Sequence, residues 1–534
     1  MIGRRNACSD SRFDVFSSWA TEFVLEVLEP GLACKIPSGE RLAHRESLGA
    51  FAVIYVGCPM KLYKSLVFTI LVLTLSMSSC YHEFGPTPPP PTPTTTLVNL
   101  TITSTPSTTF SFPSLNWPIG NITIVDNSGN ATSLGGSSGI AIPDFARLQT
   151  DSLYLGNTTL AAASYTTLKV ELNSPASSYF YNSTAGTLLG CATGTVCLIP
   201  ATVAGFGAST VTVPITYTAT ANTTTGTGIR VNFDLSKAVT SAGGMTFDFT
   251  QTGAITISTL PPTSSQPTGI DTVDNFTGVV TAISGSTITV SSFASEPRTF
   301  TIASTATFND PMTICSGVPS FSCLAVNQNV SLDGYIGGSD GSFNASEVEF
   351  LDPAPATNEL EGVIVTPVTN DQFKMVLTNG MGSSGLTVSS LVTVNLNNVA
   401  TYHVDPKSLG ISTTPLGFLS QTDLVLGQTV MLQGGTVSTA TLNNSTRVLL
   451  RYSSIGGTVQ APSGTIFNLS GISPFLTNLS TNSAQVQTFP ATTYDNITGF
   501  SELVNGANAS VRALYLNPNS GATQPILAAK VRTH

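Results

Sequence analysis

The chain has 534 residues and a formal net charge of −10, and only 9% of its residues are charged, where about 25% is usual for soluble domains. Serine, threonine, asparagine and glycine supply the polar character, which favours strands and turns over helices. Of the 20 Lys and Arg residues, 12 follow Cys80 and look scattered, so the sequence has no electrostatic footprint for nucleic acid. We therefore exclude nucleic acid as a partner.

Residues 1–59 show no pattern that leads into the rest of the chain. One interpretation is a cytoplasmic pre-domain. We favour the other, in which translation begins at Met60 and the upstream segment is not made or is disordered, because a secretory signal begins at that methionine.

The signal occupies residues 60–79. Lys61 and Lys64 form a positive start, residues 66–75 form an apolar run, and small residues follow before Cys80. About ten apolar residues are too few to span a bilayer as a helix. This stretch is therefore predicted to be a cleaved signal peptide.

The small residues that end in Cys80 resemble a bacterial lipobox, although Met77 stands where that motif prefers leucine. The resemblance implies cleavage before Cys80 and acylation of that cysteine. Each buried CH₂ of an acyl chain adds about 0.8 kcal/mol to membrane binding. We therefore expect the membrane to be a partner through lipid on Cys80, and the location to be the bacterial cell envelope. Tyr81 stands where some inner-membrane lipoproteins have aspartate, which favours the outer membrane or cell surface.

Residues 80–96 continue from that cysteine into a Pro/Thr run. Such a run favours polyproline II and forms a semi-rigid spacer of about 3.1 Å per residue. We expect a tether that holds the folded part away from the membrane.

Residues 97–258 alternate short β-type runs with turn clusters. This pattern predicts an antiparallel β-sandwich, immunoglobulin-like or transthyretin-like, in which each sheet buries one face. A Pro-rich break predicts a linker over residues 259–273.

Three segments then repeat one pattern over residues 274–353, 358–452 and 454–534. The pattern opens with Gly278, Gly362 or Gly457 and two strands. It continues with a Thr-aromatic pair (Thr307-Phe308, Thr401-Tyr402 or Thr493-Tyr494) and ends with a strand pair. Segments of this size predict three small OB-like β-barrels in tandem, so the expected fold class is all-β.

The repeats resemble the domain of unknown function numbered 5666, carried by Gly-x-Val openings and by Val330, Leu332 and Gly334 in the first segment. Residues 97–258 more loosely resemble the domain of unknown function 4382, on Ala163-Ser-Tyr165 and on Val231-Asn-Phe-Asp-Leu235. Neither resemblance implies an activity. Together they imply a bacterial lipoprotein with a sandwich followed by OB-like repeats.

Two close cysteine pairs follow Cys80, Cys191 with Cys197 and Cys315 with Cys323. In an exported protein such pairs favour local disulfides. Metal ligation is the alternative, but neither pair has a histidine nearby. We predict two disulfides and neither metal nor cofactor.

Candidate catalytic groups are few. His403 is interpreted as a polar loop residue after a strand, and His534 as a frayed terminus. Glu347 and Glu349 share one face of a strand, which we interpret as solvated.

Gly135-Gly-Ser-Ser-Gly139 fits a nucleophile elbow but has no helical pattern after it. Trp117 and several tyrosines are interpreted as core aromatics.

The function predicted from these observations is that of a non-catalytic envelope module that binds an unidentified ligand, such as a glycan or an envelope protein. Two alternatives stay open. One is an enzyme that acts on envelope polysaccharide or peptide through acids such as Glu347 or Asp405. The other is a purely mechanical spacer, from which repeats can be deleted without consequence.

Overall fold

Strands dominate the chain, which agrees with the all-β class predicted from its composition. The computed structural model describes residues 95–534 except 135–141, 221–226, 242–243, 261–268, 293–296, 312, 338–340, 353–358, 382–385, 406, 408, 412–415, 477–481 and 519–524. The signal, Cys80 and most of the tether lie outside the described residues.

The amino-terminal part is a β-sandwich. Its strands are β1 (Thr95–Thr105), β2 (Ser111–Ser114), β3 (Ile119–Asp126), β4 (Ala131–Ser133), β5 (Leu153–Ala161), β6 (Ser164–Leu172), β7 (Tyr179–Tyr181), β8 (Val196–Leu198), β9 (Ser209–Thr218), β10 (Thr227–Asp234), β11 (Val239–Thr240), β12 (Thr246–Phe247) and β13 (Ile255–Leu260). One helical turn, α1 (Leu235–Ala238), follows β10 and is capped by the Asp234 side chain.

Two four-stranded sheets face each other, with the orders β13-β10-β1-β5 and β4-β3-β6-β9. Alternate apolar residues of their strands fill the core, and Trp117 packs edge-on against Phe206, Phe247 and Phe249. The prediction of a purely antiparallel sandwich was wrong at one pair, because β1 and β10 run parallel.

The central strand β1 of the first of these sheets and much of its neighbour β10 are buried on both faces, against the prediction that each sheet buries one. Asn99, Thr101 and Thr103 of β1 point away from the sandwich core yet are at most 2% exposed. Arg230 of β10 lies on the same face and forms ion pairs with residues of the carboxy-terminal half. The barrels therefore cover this face.

The first barrel contains β14 (Gly269–Ser284), β15 (Thr287–Ser292), β16 (Arg298–Asn309), β17 (Asn329–Gly337) and β18 (Phe343–Asp352). These strands close in the order β14-β15-β16-β18-β17. Because β14 begins at Gly269, the predicted linker was too long at its carboxy-terminal end. Asp271 and Val273 already pair with β17.

The remaining strands are β19 (Glu359–Ile364), β20 (Gln372–Met381), β21 (Leu391–Val404), β22 (Thr429–Gln433), β23 (Thr436–Ser438), β24 (Thr441–Ser463), β25 (Ile466–Ser470), β26 (Ser483–Asp495), β27 (Asn508–Tyr515) and β28 (Ile526–Thr533). They form two further rings of the same order, β19-β20-β21-β24-β22 and β24-β25-β26-β28-β27. In all three rings the third and fifth strands pair in parallel.

The long strand β24 belongs to both of the last two barrels. Its first half, to Arg451, pairs with β21 and β22, and its second half, from Tyr452, pairs with β27 and β25. The boundary predicted near residue 453 therefore falls inside a continuous strand.

The repeated motifs have repeated structural roles. Each third strand contains a register shift just before its Thr-aromatic pair. At each opening glycine, a side-chain Cβ would approach the carbonyl oxygen of the neighbouring strand too closely, at 2.4 Å for Gly278, 2.5 Å for Gly362 and 2.8 Å for Gly457. The absence of a side chain lets the first two strands of each barrel pack closely.

Candidate functional site

The charged residues, which look scattered in the sequence, gather where the barrels and the sandwich meet. Seven of the 12 basic residues after Cys80 form ion pairs there with eight acids. We call this set the charge cluster: Arg147, Arg230, Lys407, Arg451, Arg512, Lys530 and Arg532 with Asp151, Asp271, Asp274, Asp333, Glu349, Glu361, Asp405 and Asp495.

Equivalent positions of the first and third barrels carry opposite charges. Asp333 faces Glu347 across the fourth and fifth strands of the first barrel, whereas Arg512 faces Lys530 at the corresponding place in the third. Two residues further along these fifth strands, on the same face, lie Glu349 in the first barrel and Arg532 in the third. The first barrel thus presents an acidic surface and the third a basic one, which favours their association.

Arg451 is the centre of one branch of the charge cluster. Its Nη1 lies 2.6 Å from Asp405 Oδ2 and also contacts Glu349, and its Nε lies 3.4 Å from Glu361 Oε2. All four side chains are at most 2% exposed. Burial raises the pKa of Glu349 well above its ordinary value, and the nearby Asp405 carboxylate raises it further. Burial therefore favours the protonated form of Glu349, and the Arg451 guanidinium opposes this effect.

A second branch joins Lys407, Asp333, Arg512, Asp274 and Lys530. Lys407 Nζ lies 3.0 Å from Asp333 Oδ1, and Lys530 Nζ lies 2.8 Å from Asp274 Oδ2. Although burial alone raises the pKa of Asp333, the Lys407 ammonium and the Arg512 guanidinium hold it below its usual range. Arg512 also lies over the Tyr452 ring, 4.7 Å from its centroid.

A third branch connects the sandwich to the first and third barrels. Arg230 reaches Asp271 at 3.0 Å and Asp495 at 3.1 Å. Arg532 contacts Asp495 at 2.7 Å and donates hydrogen bonds to the carbonyl oxygens of Leu148 and Asp151. Since buried ion pairs are costly when one partner is absent, this branch favours one relative arrangement of these domains.

A cleft of about 510 Å³ lies above the charge cluster, between residues 105–113 of the sandwich and residues 452–458 and 471–476 of the last two barrels. Its walls carry many hydroxyl groups and the rings of Phe110, Phe112 and Phe475. Arg147, Asp151 and Arg512 are its charged lining residues. A volume of this size is typical of small-ligand sites, about 300–1,000 Å³.

Side chains of the two walls hold the cleft together. Thr150 and Ser454 share a hydrogen bond of 2.5 Å between their hydroxyl oxygens, and Ser473 donates one of 2.6 Å to Ser111. The sandwich and the last two barrels therefore form one cleft through direct contacts.

The structure joins both predicted cysteine pairs, Cys191 with Cys197 and Cys315 with Cys323, as disulfides. Cys80 and Gly135-Gly-Ser-Ser-Gly139 lie outside the described residues. Trp117 is fully buried in the sandwich core.

Three predictions for polar residues were wrong. His403 lies within β21 rather than in a loop. His534 is tied down, since its backbone N–H bonds to Asn508 O and its ring to Ser510 Oγ at 2.8 Å. The strand face shared by Glu347 and Glu349 is not solvated throughout, because the second barrel covers Glu349 completely.

The alternative enzyme prediction named Asp405 and Glu347. Asp405 does come close to an acid of another barrel, because it and Glu349 both contact Arg451, but both acids are fully buried. Glu347 instead accepts a hydrogen bond from Asn309. A polymer substrate therefore has no path to this carboxyl pair in the folded state.

Within the described residues, no group of three or more potential ligands is arranged to hold a metal ion. The same part of the chain contains no apolar helix of the length needed to cross a membrane.

Comparison with known proteins adds little. No protein-family model matches the chain, and no curated protein matches it. Among solved structures, part of the chain is similar to MbnP from Methylosinus trichosporium, with 12% sequence identity over 27% of this chain and 76% of that one, and a TM-score of 0.17. At this score the likeness carries no argument about fold or function.

Proposed function

We propose that this protein is an exported, non-catalytic binding module whose ligand site is the cleft between the sandwich and the last two barrels. The observation that carries the proposal is that the three charged residues of the cleft wall, Arg147, Asp151 and Arg512, are paired with other charged side chains rather than left for a ligand. The ionisable groups of the charge cluster bind one another, while hydroxyl, amide and aromatic groups line most of the cleft. Such a surface suits an uncharged, hydroxyl-rich ligand, and a glycan is the first candidate.

The compartment is part of this proposal. Two disulfides support an oxidising location outside the cytoplasm. The lipobox-like sequence before Cys80 supports a lipid anchor in a bacterial envelope, and the Pro/Thr tether supports display away from the membrane. The resemblances to the domains of unknown function 4382 and 5666 support the same compartment.

The test is a binding screen of the full chain against envelope glycans and envelope proteins, with two matched variants. Thr108→Trp places a large ring at the exposed mouth of the cleft. Thr212→Trp places the same ring on the exposed edge strand β9 of the sandwich, away from the cleft-lining residues. We expect a ligand whose binding Thr108→Trp abolishes and Thr212→Trp leaves unchanged. A ligand that binds both variants equally would refute the assignment of the cleft.

A purely mechanical spacer is the second candidate, and the continuous strand β24 favours it because that strand links two barrels rigidly. If the folded wild-type protein binds no ligand in the whole screen, the result would support the spacer and contradict the binding module.

A further inference from the structure

Lys407 and Asn275 meet in the interior between the first and second barrels. Lys407 Nζ lies 3.4 Å from the carboxamide oxygen Oδ1 of Asn275. Lys407 is fully buried and Asn275 is 8% exposed. An amine that is held against a carboxamide in a water-poor site can react with it, because fixed proximity replaces a bimolecular encounter.

The backbone aims Asn275 at this lysine. The register between β14 and β17 shifts between Val273 and Phe276, so that Asp274 and Asn275 are left out of the ladder. Asn275 takes a positive φ of 50°, a conformation that asparagine tolerates better than most residues. Bulges of this kind redirect side chains next to functional sites.

A carboxylate stands beside both reacting groups. Asp333 Oδ1 lies 3.0 Å from Lys407 Nζ and accepts a hydrogen bond of 2.5 Å from the backbone N–H of Asn275. Asp333 is 7% exposed. Its position lets it relay a proton from the lysine to a leaving group. Burial alone raises the pKa of Asp333, but the neighbouring cations outweigh burial and lower it, so Asp333 is a weak base and this proton transfer is slow.

A guanidinium faces the carboxamide oxygen. Arg451 Nη2 lies 3.4 Å from Asn275 Oδ1 and donates a 3.0 Å hydrogen bond to Ser331 Oγ, which also accepts one from Lys407. A fixed cation at this place stabilises the negative charge that develops on Oδ1 when a nucleophile attacks the carbon.

The reaction also needs a leaving group that can escape, and the carboxamide nitrogen Nδ2 of Asn275 is that group. Within the described part of the chain, Nδ2 makes no hydrogen bond, and Asn275 lines both the 510 Å³ cleft and a second cavity of about 130 Å³. Ammonia therefore has a route out of the site.

From this geometry we propose that Lys407 and Asn275 form an intramolecular isopeptide bond that joins the first barrel to the second. Lys407 transfers a proton to Asp333, and its free amine attacks Cγ of Asn275. Arg451 stabilises the resulting oxyanion. Asp333 passes protons from the attacking nitrogen to Nδ2, the Cγ–Nδ2 bond breaks, and ammonia leaves and takes up the remaining proton. No electrons are transferred, and no co-reactant is required.

The proposal is independent of the proposed binding function, because it concerns a cross-link beneath the cleft rather than a ligand. A cross-link between barrels would serve a binding module or a spacer equally well.

The deciding experiment is mass spectrometry of the purified, folded, full-length protein. We expect an intact mass lighter by one ammonia molecule than the mass calculated for the processed chain, with its signal cleavage and acylation at Cys80 taken into account and both disulfides formed. After denaturation, reduction and trypsin digestion, we expect a branched peptide that joins residues 238–298 to residues 375–447 and is uncut after Lys407.

Four variants assign the roles. Asn275→Ala and Lys407→Arg should abolish the mass loss, and Asp333→Asn should slow or abolish it. Lys374→Arg is the control, because Lys374 is exposed on β20 of the second barrel and lies outside the charge cluster. Its protein should still lose ammonia.

A wild-type protein of full calculated mass, with trypsin cleavage after Lys407, would overturn the proposal. This result does not depend on whether any variant folds. A branched peptide between other residues would overturn the assignment to Lys407 and Asn275.

Discussion

Glu349 of the first barrel and Arg451 of the strand shared by the second and third barrels form an ion pair in which neither side chain is more than 1% exposed. Asp405 and Glu361 converge on the same guanidinium from two other segments. Arg451 therefore joins acids of both barrels where the first packs on the second, beside the Lys407–Asp333 pair, and the consequences of changing it are measurable.

Arg451→Met should destabilise the protein strongly, because it leaves the buried acids Glu349 and Asp405 without their cation, whereas Glu361 keeps Arg147. Removal of one partner of a buried pair costs about 3–5 kcal/mol. Chemical denaturation of the variant and of Lys169→Met measures the difference. Lys169 is exposed on β6, so the control should change stability by less than about 0.5 kcal/mol. Equal effects of both substitutions would contradict a central role for Arg451.

Stability should fall as the pH rises above the ordinary pKa of Glu349, which is 4.5. Burial raises the pKa of this group in the folded state, so the folded protein binds more protons than the unfolded chain in that range. Glu349→Gln imitates the protonated carboxyl group and should flatten this decline. Denaturation curves from about pH 5 to about pH 8 compare the two proteins. Parallel declines in both would show that another group is responsible.

Stability should also fall in acid, for the opposite reason. The pKa values of Asp333 and Asp495 lie below their ordinary value of 3.8; burial alone would raise them, but the cations beside each carboxylate outweigh it. The stabilisation that they provide is present above that value and is lost as the pH falls below it. Asp495→Asn should be less stable than wild type at neutral pH and should lose less on acidification. Thermal unfolding at about pH 3 and about pH 7 tests this.

Gly278→Ala should destabilise the first barrel, because the new Cβ would lie 2.4 Å from the carbonyl oxygen of Ser291. Overpacking of this kind typically costs about 1–3 kcal/mol. Gly317→Ala is the matched control, since a Cβ there meets no atom within 4 Å and the residue has no positive φ. Thermal unfolding of both variants should show a lower midpoint for Gly278→Ala alone.

Replacement of both Cys315 and Cys323 by serine should reduce stability by about 2.5 kcal/mol, the chain-entropy value for a loop of this length. Denaturation under oxidising and reducing conditions provides the control. The reductant should lower the denaturation midpoint of the wild-type protein. It should leave unchanged the midpoint of a variant in which Cys191 and Cys197 are also replaced.

The sequence predicted what depends on local patterns. Alternating residues predicted the strands, cysteine spacing predicted the disulfides, and glycines with Thr-aromatic pairs predicted the three repeats. The charge cluster was missed because its partners are far apart along the chain: Arg230 and Asp495 are separated by 265 residues. One signal was available. Asp333 and Arg512 hold equivalent positions in two repeats with opposite sign, and few charges occur elsewhere.

The strand β24 and the opposite charges of the first and third barrels together restrict how this architecture can change over time. Tandem repeats commonly gain or lose units by duplication and deletion. Here the three barrels are not interchangeable. The first presents acids, the third presents bases, and the second shares its last strand, β24, with the third. An extra copy would have no complementary neighbour, and a missing copy would leave buried ions unpaired. We therefore expect the number and order of the barrels to be constrained, so that the three repeats are kept or lost together during evolution.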